Sequence, residues 1–233
     1  MKKNHRLQAV FFDLDGTLLY TLPDIARVVN YGLKKNGLPA LPVGDFRDIV
    51  GWGLKATIRK AVPEEMGDPA FLLQVYSDMK AEYERHPVIE TVPYPGIPEM
   101  LRYFQEHRIP MGILSNKDHG LTGQVVKSAF PEFTFIGVYG HSPDVPHKPD
   151  PSGFFMLMKK AACRAEQIMF VGDTATDMET ARAAGSYPLG VSWGYRTSEE
   201  LLKAGADSIV DHPREIPDRF LELSLDRSRN PLV

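Results

Sequence analysis

The sequence predicts an α/β protein whose core is a doubly wound parallel sheet. Short apolar runs alternate with helix-like segments along most of the chain, which is typical of parallel strands joined by crossover helices. One long interval lacks strand patterns, and polar residues collect directly after several predicted strands. These observations indicate a Rossmann-like core, an inserted all-helical cap domain and a candidate site at one edge of the sheet.

The predicted strands are short runs of apolar, β-branched or aromatic residues. They cover residues 9–12, 109–114, 135–139, 168–171, 188–192 and 208–210. Segments with apolar residues at helical spacing lie between them and predict helices at 98–107, 121–129, 151–162, 177–184 and 198–204. Because strand and helix alternate, we expect helices on both faces of one sheet.

Residues 21–92 break this alternation, since no convincing strand pattern occurs there. Helical patterns instead cover 22–37, 46–50, 54–62 and 69–85, and in the first of these Pro23 stands near the start and Gly37 marks the end. We interpret 21–92 as a helical cap inserted after the first strand, with 1–20 and 93–233 forming the core. The prolines of "TVPYPGIP", residues 91–98, suit a stiff return to the core, and the tail 224–233 is expected to fray.

The composition is that of an ordinary globular protein of 233 residues, with 43% hydrophobic residues and a net charge of -3. Its 27 Lys and Arg are scattered, which argues against a nucleic-acid or membrane partner and favours a small ligand. Cys163 is the one cysteine and is interpreted as a buried hydrophobe. No stretch predicts a signal peptide or a membrane span, so we expect a cytoplasmic protein, either a monomer or a homodimer.

Two aspartates end the first strand, in the stretch "AVFFDLDGTLL". Side chains at positions i and i+2 of an extended chain lie on the same face, so Asp13 and Asp15 are expected to approach a common ligand. Gly16 permits the turn that follows. Two carboxylates in one place require a cation.

Polar residues follow three further predicted strands, and in a parallel sheet all four groups would share one edge. These residues are Ser115, Asn116 and Lys117 after 109–114, Lys148 after 135–139, and Asp173 and Asp177 after 168–171. Clustered carboxylates favour Mg²⁺, and a cation beside Lys148 and the Ser115 hydroxyl makes a site for a phosphoryl group. One aspartate could then attack phosphorus while the other transfers protons.

Each of these residues also has a purely structural interpretation. Asp13 or Asp177 taken alone suits a turn or a helix cap, Ser115 suits a helix cap, and Lys148 suits a solvated loop. His147 is interpreted as a loop residue near the site. The joint occurrence of the four groups in this order is what favours phosphoryl chemistry.

Four motifs resemble those of the haloacid dehalogenase superfamily of aspartate-nucleophile phosphatases. They are "DLDGT" at 13–17, "ILSNK" at 113–117, "KPDP" at 148–151 and "GDTATDMETARAAG" at 172–185. The resemblance implies that Asp13 is the nucleophile and Asp15 the acid/base. It implies that Ser115 and Lys148 hold the phosphoryl group, with Gly16, Thr17 and Asn116 contacting substrate. The implied Mg²⁺ ligands are Asp13, Asp15 through its backbone carbonyl, Asp173 and Asp177.

The chain resembles the phosphoglycolate phosphatases of this superfamily in two stretches, "FRDIVGWGL" at 46–54 and "VSWGYRTSEELLKAGADSIVD" at 191–211. The resemblance implies that Arg47 meets a substrate carboxylate and that the backbone at Gly51 and Gly53 approaches the ligand. The alternative is a glycine turn between two cap helices with a surface arginine. Trp52 in the same stretch could pack between cap and core.

These features predict a Mg²⁺-dependent phosphatase for a small phosphorylated metabolite, with 2-phosphoglycolate as the leading candidate. A sugar-phosphate phosphatase or a phosphotransferase such as a mutase would use the same core chemistry. A non-catalytic phospho-aspartate switch is a third hypothesis, although a lid that excludes water suits turnover better. Phosphonate hydrolysis is disfavoured, because it would need a cap lysine that forms a Schiff base. None of Lys34, Lys55 and Lys60 has an apolar, activating context.

Overall fold

The computed structural model describes residues 6–225. Residues 1–5 and 226–233 lie outside this range, so the extreme ends of the predicted core and most of the tail expected to fray are not described. The described chain forms a parallel α/β sheet with helices on both faces, which confirms the predicted fold class.

The described residues form eight strands and ten α-helices. The strands are β1 Ala9–Phe12, β2 Leu19–Tyr20, β3 Val92–Pro93, β4 Met111–Asp118, β5 Gly137–His141, β6 Ile168–Gly172, β7 Tyr187–Val191 and β8 Ser208–Val210. The helices are α1 Leu22–Lys35, α2 Phe46–Ile49, α3 Leu54–Ala61, α4 Pro69–Arg85, α5 Ile97–Glu106, α6 His119–Ala129, α7 Ser152–Ala161, α8 Ala175–Ala184, α9 Ser198–Lys203 and α10 Glu215–Ser224.

Six strands form one parallel sheet in the spatial order β5-β4-β1-β6-β7-β8. From β1 in the centre, the chain builds the sheet outward through β4 and β5 on one side, and through β6, β7 and β8 on the other. Open α/β sheets bind ligands outside the carboxyl ends of the strands at such a reversal of order. The carboxyl ends of β1, β4 and β6 therefore define where a site is expected.

Both faces of the sheet are buried. Along β1, Val10 and Phe12 pack in a cluster with α5, α6 and α10, whereas Ala9 and Phe11 pack in a second cluster with α7 and α8. Since alternate side chains point to opposite faces, a strand covered on both sides reads as a continuous apolar run. This explains why the central strands could be recognised from the sequence.

Helices α1 to α4, here called the helical segment, form most of a hydrophobic cluster that also includes Leu121 and Tyr195. Val29 of α1, Ile58 of α3, and Val75 and Met79 of α4 are buried in it. Helix α1 has a proline in its first turn, and Gly37 follows its end with a φ of 76°. Helix patterns were predicted in all four places.

A short two-stranded ribbon joins the helical segment to the rest of the chain. Strand β2 pairs antiparallel with β3, through Leu19 with Pro93 and Tyr20 with Val92. No strand was predicted at either place, because a run of two residues has no periodicity to detect. The ribbon brings together the points where the chain leaves the core and returns.

Other differences from the predicted elements are local. Strand β4 extends to Asp118 instead of ending at Leu114, but its pairing with β5 is irregular between these two residues. Helix α10 was not predicted. Trp52 is 44% exposed, so packing between cap and core would cover only part of its side chain. Trp193 is the more buried tryptophan, and its indole Nε1 donates to the backbone carbonyl of Thr17 at 3.0 Å.

None of the helices formed by residues 6–225 combines the length and the apolar character needed to cross a bilayer.

Candidate active site

A buried cluster of three aspartates lies at the carboxyl ends of β1 and β6. Asp13 follows β1 directly, Asp173 follows β6 directly, and Asp177 lies in the first turn of α8. One oxygen of each carboxylate lies within 4.8 Å of the other two, and all three residues are buried. Oxygen ligands at this spacing suit a hard divalent cation such as Mg²⁺.

Lys148 lies between two members of the acidic cluster. Its Nζ donates to Asp13 Oδ1 at 2.5 Å, to Asp177 Oδ1 at 2.6 Å and to the backbone carbonyl of Leu114 at 3.0 Å. Burial alone would lower the pKa of Lys148, but Asp13 and Asp177 outweigh this effect and raise the pKa. The ammonium is therefore held charged beside Asp13, where it could contact a phosphoryl group.

The acidic cluster brings three carboxyl groups close to one ammonium group, that of Lys148. Burial raises the pKa of Asp13 well above its usual range; Lys148 opposes this increase, and Asp177 and Asp173 add to it. Burial, followed by the charge of Asp177, also raises the pKa of Asp173 to about 7. Carboxyl groups that resist ionisation in a buried cluster fit a cation that would stabilise their charged form.

The carboxylate of Asp15 faces a different lysine. Asp15 Oδ1 accepts from Lys117 Nζ at 2.7 Å, and the same Nζ donates to the hydroxyl of Tyr83 at 2.9 Å. Asp13 and Asp15 line the same cavity, but they pair with separate cations instead of sharing one. The reason is that both residues lie beyond β1, where Gly16 with φ 89° turns the chain.

Ser115 and Asn116 lie in the irregular part of β4. Ser115 is buried, lines the cavity and accepts through Oγ from the N–H of Lys117 at 3.2 Å. Asn116 Oδ1 accepts from the N–H of Lys148 at 2.7 Å, and its Nδ2 donates to the carbonyls of Lys148 at 3.3 Å and Gly51 at 3.1 Å. Asn116 therefore fixes the backbone of the lysine that contacts Asp13.

Gly16 and Thr17 surround Asp173. A Cβ at Gly16 would collide with the Asp173 carboxylate, and the hydroxyl of Thr17 donates to Asp173 Oδ1 at 3.0 Å. Tyr195 donates through its backbone N–H to Asp173 Oδ2 at 2.7 Å. Gly16 and Thr17, which were predicted to contact substrate, thus lie beside the candidate metal ligand Asp173 and help to position it.

Asp177 and Thr174 form the N-terminal cap of α8. Asp177 Oδ2 accepts from the N–H of Thr174 at 3.0 Å and from its hydroxyl at 2.6 Å. The structural interpretation of Asp177 as a capping residue therefore holds, and its other carboxylate oxygen contacts Lys148. One side chain serves both the helix and the acidic cluster.

The loop between α2 and α3 of the helical segment forms part of the wall of a cavity beside the acidic cluster. Gly51 and Gly53 line it together with Asp13 and Lys148, and we call this space the inner cavity. Both glycines have left-handed φ values, 109° and 84°. A Cβ at Gly53 would lie 2.7 Å from the ring of His147, so a larger residue would push the loop away from the core.

Arg47 does not line the inner cavity. Its Nε donates to the carbonyl of Tyr195 at 3.0 Å and its Nη2 to the carbonyl of Gly194 at 2.8 Å. In return, Arg196 donates to the carbonyls of Arg47 at 2.6 Å and Val50 at 2.9 Å. Arg47 thus joins the helical segment to the core, and its predicted contact with a substrate carboxylate stays a prediction.

Sequence reasoning missed the roles of Tyr83 and Tyr195. Tyr83 is fully buried on α4, and Tyr195 lines the inner cavity with its hydroxyl 2.9 Å from that of Thr21. The sequence predicts Lys117 as a polar residue that follows a strand, but it does not predict the pairing of Lys117 with Asp15. The motif position of Lys117 gave a signal, whereas nothing in the local sequence links Tyr83 to a site 34 residues away.

The chain is similar to known proteins over most of its length. A family model described as "Haloacid dehalogenase-like hydrolase" matches residues 10–191. The N-acetylmuramic acid 6-phosphate phosphatase of Pseudomonas aeruginosa is 33% identical over 226 residues, covering 93% of this chain and 96% of the relative. The phosphoglycolate phosphatase of Pseudomonas syringae pv. tomato is 30% identical over 224 residues, covering 93% and 81%. A solved haloacid dehalogenase-like hydrolase from Streptococcus pneumoniae aligns with a TM-score of 0.81 at 26% identity, covering 92% and 98%.

Proposed function

The chain belongs to the haloacid dehalogenase-like hydrolase family and is a phosphoric monoester hydrolase, and we propose that it acts on a small phosphorylated metabolite through an aspartyl-phosphate on Asp13. The observation that supports this most directly is the position of Asp13. Its carboxylate lies at the floor of the inner cavity, beside Lys148 and within the acidic cluster. The proposed nucleophile, the proposed phosphoryl-binding cation and the candidate metal ligands therefore lie close together at the carboxyl ends of β1 and β6.

In the first step, a carboxylate oxygen of Asp13 would attack phosphorus and the bond from phosphorus to the ester oxygen would break. Asp15 would give its proton to the departing oxygen. In the second step, water would attack phosphorus, Asp15 would take a proton from that water, and the bond to Asp13 would break to release phosphate. The ion pair between Asp15 and Lys117 corresponds to the ionised carboxylate needed in this second step.

Lys148 and Ser115 would hold the phosphoryl group, and Asn116 would keep the Lys148 backbone in place. Asp13, Asp173 and Asp177 fit Mg²⁺ through their buried carboxylates, and the backbone carbonyl of Asp15 completes the proposed set. When bound, Mg²⁺ would supply positive charge that offsets the negative charge of the phosphoryl oxygens.

We further propose that residues 21–92 act as a cap domain over the core, which consists of 1–20 and 93–233. Glycines 51 and 53 would place the cap backbone against the substrate, as their conformations allow. The sequence-based expectation of a cytoplasmic monomer or homodimer is retained, with neither a nucleic acid nor a membrane as partner.

Two substrates are candidates because named relatives act on them. One is 2-phosphoglycolate, which the sequence motifs already favour, and the other is N-acetylmuramic acid 6-phosphate, a sugar phosphate. Both are phosphate monoesters whose alcohol portion bears a carboxylate.

The test is hydrolysis of an aryl phosphate such as 4-nitrophenyl phosphate by the purified protein. We expect activity that is lost on chelation, restored by added Mg²⁺ and reduced about a thousandfold or more in Asp13→Asn. Hydrolysis in ¹⁸O-labelled water should put one solvent oxygen into each phosphate, which a phosphotransferase would not do. An Asp13→Asn variant that kept its activity would contradict the proposed nucleophile, and an aspartyl-phosphate stable for hours would favour a switch.

A further inference from the structure

A second cavity adjoins the inner cavity. Residues Leu54 and Asn116 line both spaces, so the two cavities are neighbours. The second space, here called the outer cavity, has a volume of ≈ 300 Å³, whereas the inner cavity has ≈ 40 Å³. A space of the smaller volume holds a group the size of a few water molecules, so the bulk of a substrate has to lie elsewhere.

The wall of the outer cavity is rich in cationic and hydrogen-bonding side chains. From the helical segment it receives Lys55 on α3 and Tyr76 on α4, and from the core it receives His141 at the end of β5 and His147. The two imidazole rings are stacked, with centroids 3.6 Å apart and planes inclined by 14°. Both domains of the proposed enzyme therefore contribute to this wall.

Lys55 is exposed. Within residues 6–225, the part of the chain that the structure describes, it forms no ion pair with an acidic residue. Its ammonium lies 5.2 Å from the centre of the Tyr76 ring. An aromatic face orients the ammonium without neutralising it. Lys55 thus presents an uncompensated positive charge at the rim of the outer cavity.

His147 has a polar atom that the protein leaves without a partner. Its Nδ1 is buried and makes no hydrogen bond with the described residues. Burial, followed by the charges of His141 and Lys55, lowers the pKa of His147, which agrees with a cationic surrounding. A buried polar atom without a partner is uncommon, and a ligand or a water molecule often supplies what is missing.

Asp118 is the acidic residue of this wall, but its charge is already engaged. Its Oδ1 caps α6 by accepting from the N–H of Gly120 at 3.0 Å, and its Oδ2 lies 3.3 Å from Lys80 Nζ. His141 donates from Nδ1 to the carbonyl of Val145 at 3.1 Å, which leaves its Nε2 as the remaining ring nitrogen. Lys80 is shared with Glu84, which lies 3.4 Å from the same Nζ, and Lys55 is the lysine that lines the outer cavity.

We propose that the outer cavity binds the alcohol portion of the substrate and selects phosphate monoesters with a carboxylate on that portion, which Lys55 recognises beside the imidazole of His147. This inference rests on the proposed function, because it assumes that a phosphoryl group occupies the inner cavity. A volume of ≈ 300 Å³ lies at the lower end of the range for small-molecule sites and has room for a sugar ring. We therefore expect the larger acid to gain more from this site than a two-carbon acid.

The experiment compares two pairs of substrates that differ in the carboxylate. One pair is N-acetylmuramic acid 6-phosphate and N-acetylglucosamine 6-phosphate, which lacks the acidic side chain. The other pair is 2-phosphoglycolate and 2-hydroxyethyl phosphate. We expect kcat/KM of the wild type to favour the acid by about tenfold or more in at least one pair, as for a charge-assisted contact. The pair that shows the preference identifies which acid the site accommodates.

The variant Lys55→Met should remove most of this preference, because it should lower kcat/KM for the acid by a larger factor than kcat/KM for its neutral partner. The matched control is Lys60→Met, since Lys60 is exposed on the same helix but lines neither cavity. The variant His147→Gln should reduce the preference by a smaller factor.

Equal turnover of acid and neutral substrate in both pairs, or an equal loss on all substrates in Lys55→Met, would overturn this proposal. In both cases 4-nitrophenyl phosphate would still be hydrolysed by the wild type, so the proposed phosphatase function would stand. A wild type without activity on that aryl phosphate would instead refute the function itself. The two failures are thereby distinguishable.

Discussion

The carboxyl edge of the sheet and the loops of the helical segment enclose the same cavity with different chemical means. The edge contributes buried charged side chains, such as Asp13 and Asp177, which are both in direct contact with Lys148. The helical segment contributes the backbone of Gly51 and Gly53. The difference indicates that reaction chemistry belongs to the edge, whereas access and substrate size belong to the segment.

The two regions also differ in how their residues are held. Residues of the edge are fixed by parallel strands whose register brings their carboxyl ends together. Residues of the helical segment are held at the site by hydrogen bonds to β4. Tyr83 bonds to Lys117, and Gly51 bonds to Asn116. Substitutions at the edge should therefore affect turnover most, and substitutions at the contacts should have smaller effects.

The largest effect is expected at Lys148. The change Lys148→Met removes the cation that lies between Asp13 and Asp177 and should lower kcat/KM for 4-nitrophenyl phosphate about a thousandfold or more, equivalent to ~4 kcal/mol. Lys159→Met on the exposed side of α7 is the matched control and should be neutral. If Lys148→Met kept a tenth of the activity, the edge would not hold the chemistry assigned to it.

A smaller effect is expected where the segment touches the edge. Lys117→Met leaves the Asp15 carboxylate without its cation and should lower kcat about a hundredfold, or ~2.7 kcal/mol. Tyr83→Phe removes only the hydroxyl that accepts from Lys117 and should lower kcat by about tenfold or less. Steady-state kinetics of both single variants and of the double variant measure the coupling between them.

An unchanged kcat in Tyr83→Phe would support the proposed difference between the two regions. It would mean that the segment influences Asp15 through packing alone. If kcat fell as far in Tyr83→Phe as in Lys117→Met, the proposed difference between the two regions would be wrong. A residue of the helical segment would then be as important for turnover as one of the edge.

The same contrast explains what the sequence could reveal. The central strands are continuous apolar runs, and Asp13, Lys148, Asp173 and Asp177 occur where such runs end, so the fold and the acidic cluster were predictable. The contacts of Arg47, Tyr83 and Tyr195 were not predictable, because they join residues 34 to 174 positions apart whose meeting depends on how the segment docks.

A moderate effect on stability is expected in the linker beside the β2 and β3 ribbon. Asp24 of α1 is buried, and its Oδ2 accepts from the N–H groups of Ile89 at 3.0 Å, Glu90 at 3.0 Å and Thr91 at 2.8 Å. Burial would raise the pKa of Asp24, but these hydrogen bonds outweigh it and lower the pKa. Asp24→Asn should reduce the free energy of unfolding at pH 7 by about 1–3 kcal/mol.

This effect has a defined pH dependence. Because the pKa is lowered on folding, the stabilisation is complete above the unfolded value of 3.8 and is lost as the pH falls through the folded value. Urea titrations of wild type and Asp24→Asn should therefore differ more at pH 7 than at pH 3. Asp45→Asn, at an exposed position without a capping bond, is the control. An equal difference at both pH values would show that the charge of Asp24 is not what stabilises the linker.

The smallest effect is expected at the two arginines that join the segment to the core. Arg47→Ala removes donors to the carbonyls of Gly194 and Tyr195, and Arg196→Ala removes donors to Arg47 and Val50. Since these bonds favour docking and do not touch the inner cavity, each variant should raise KM about three- to tenfold, at most ~1.4 kcal/mol, with kcat little changed. Arg47→Lys should resemble Arg47→Ala, because an ammonium cannot reproduce the guanidinium fork. A KM increase confined to acid-bearing substrates would instead mean that Arg47 recognises their carboxylate, as the sequence first suggested, and would move substrate selection from the outer cavity to the surface of the helical segment.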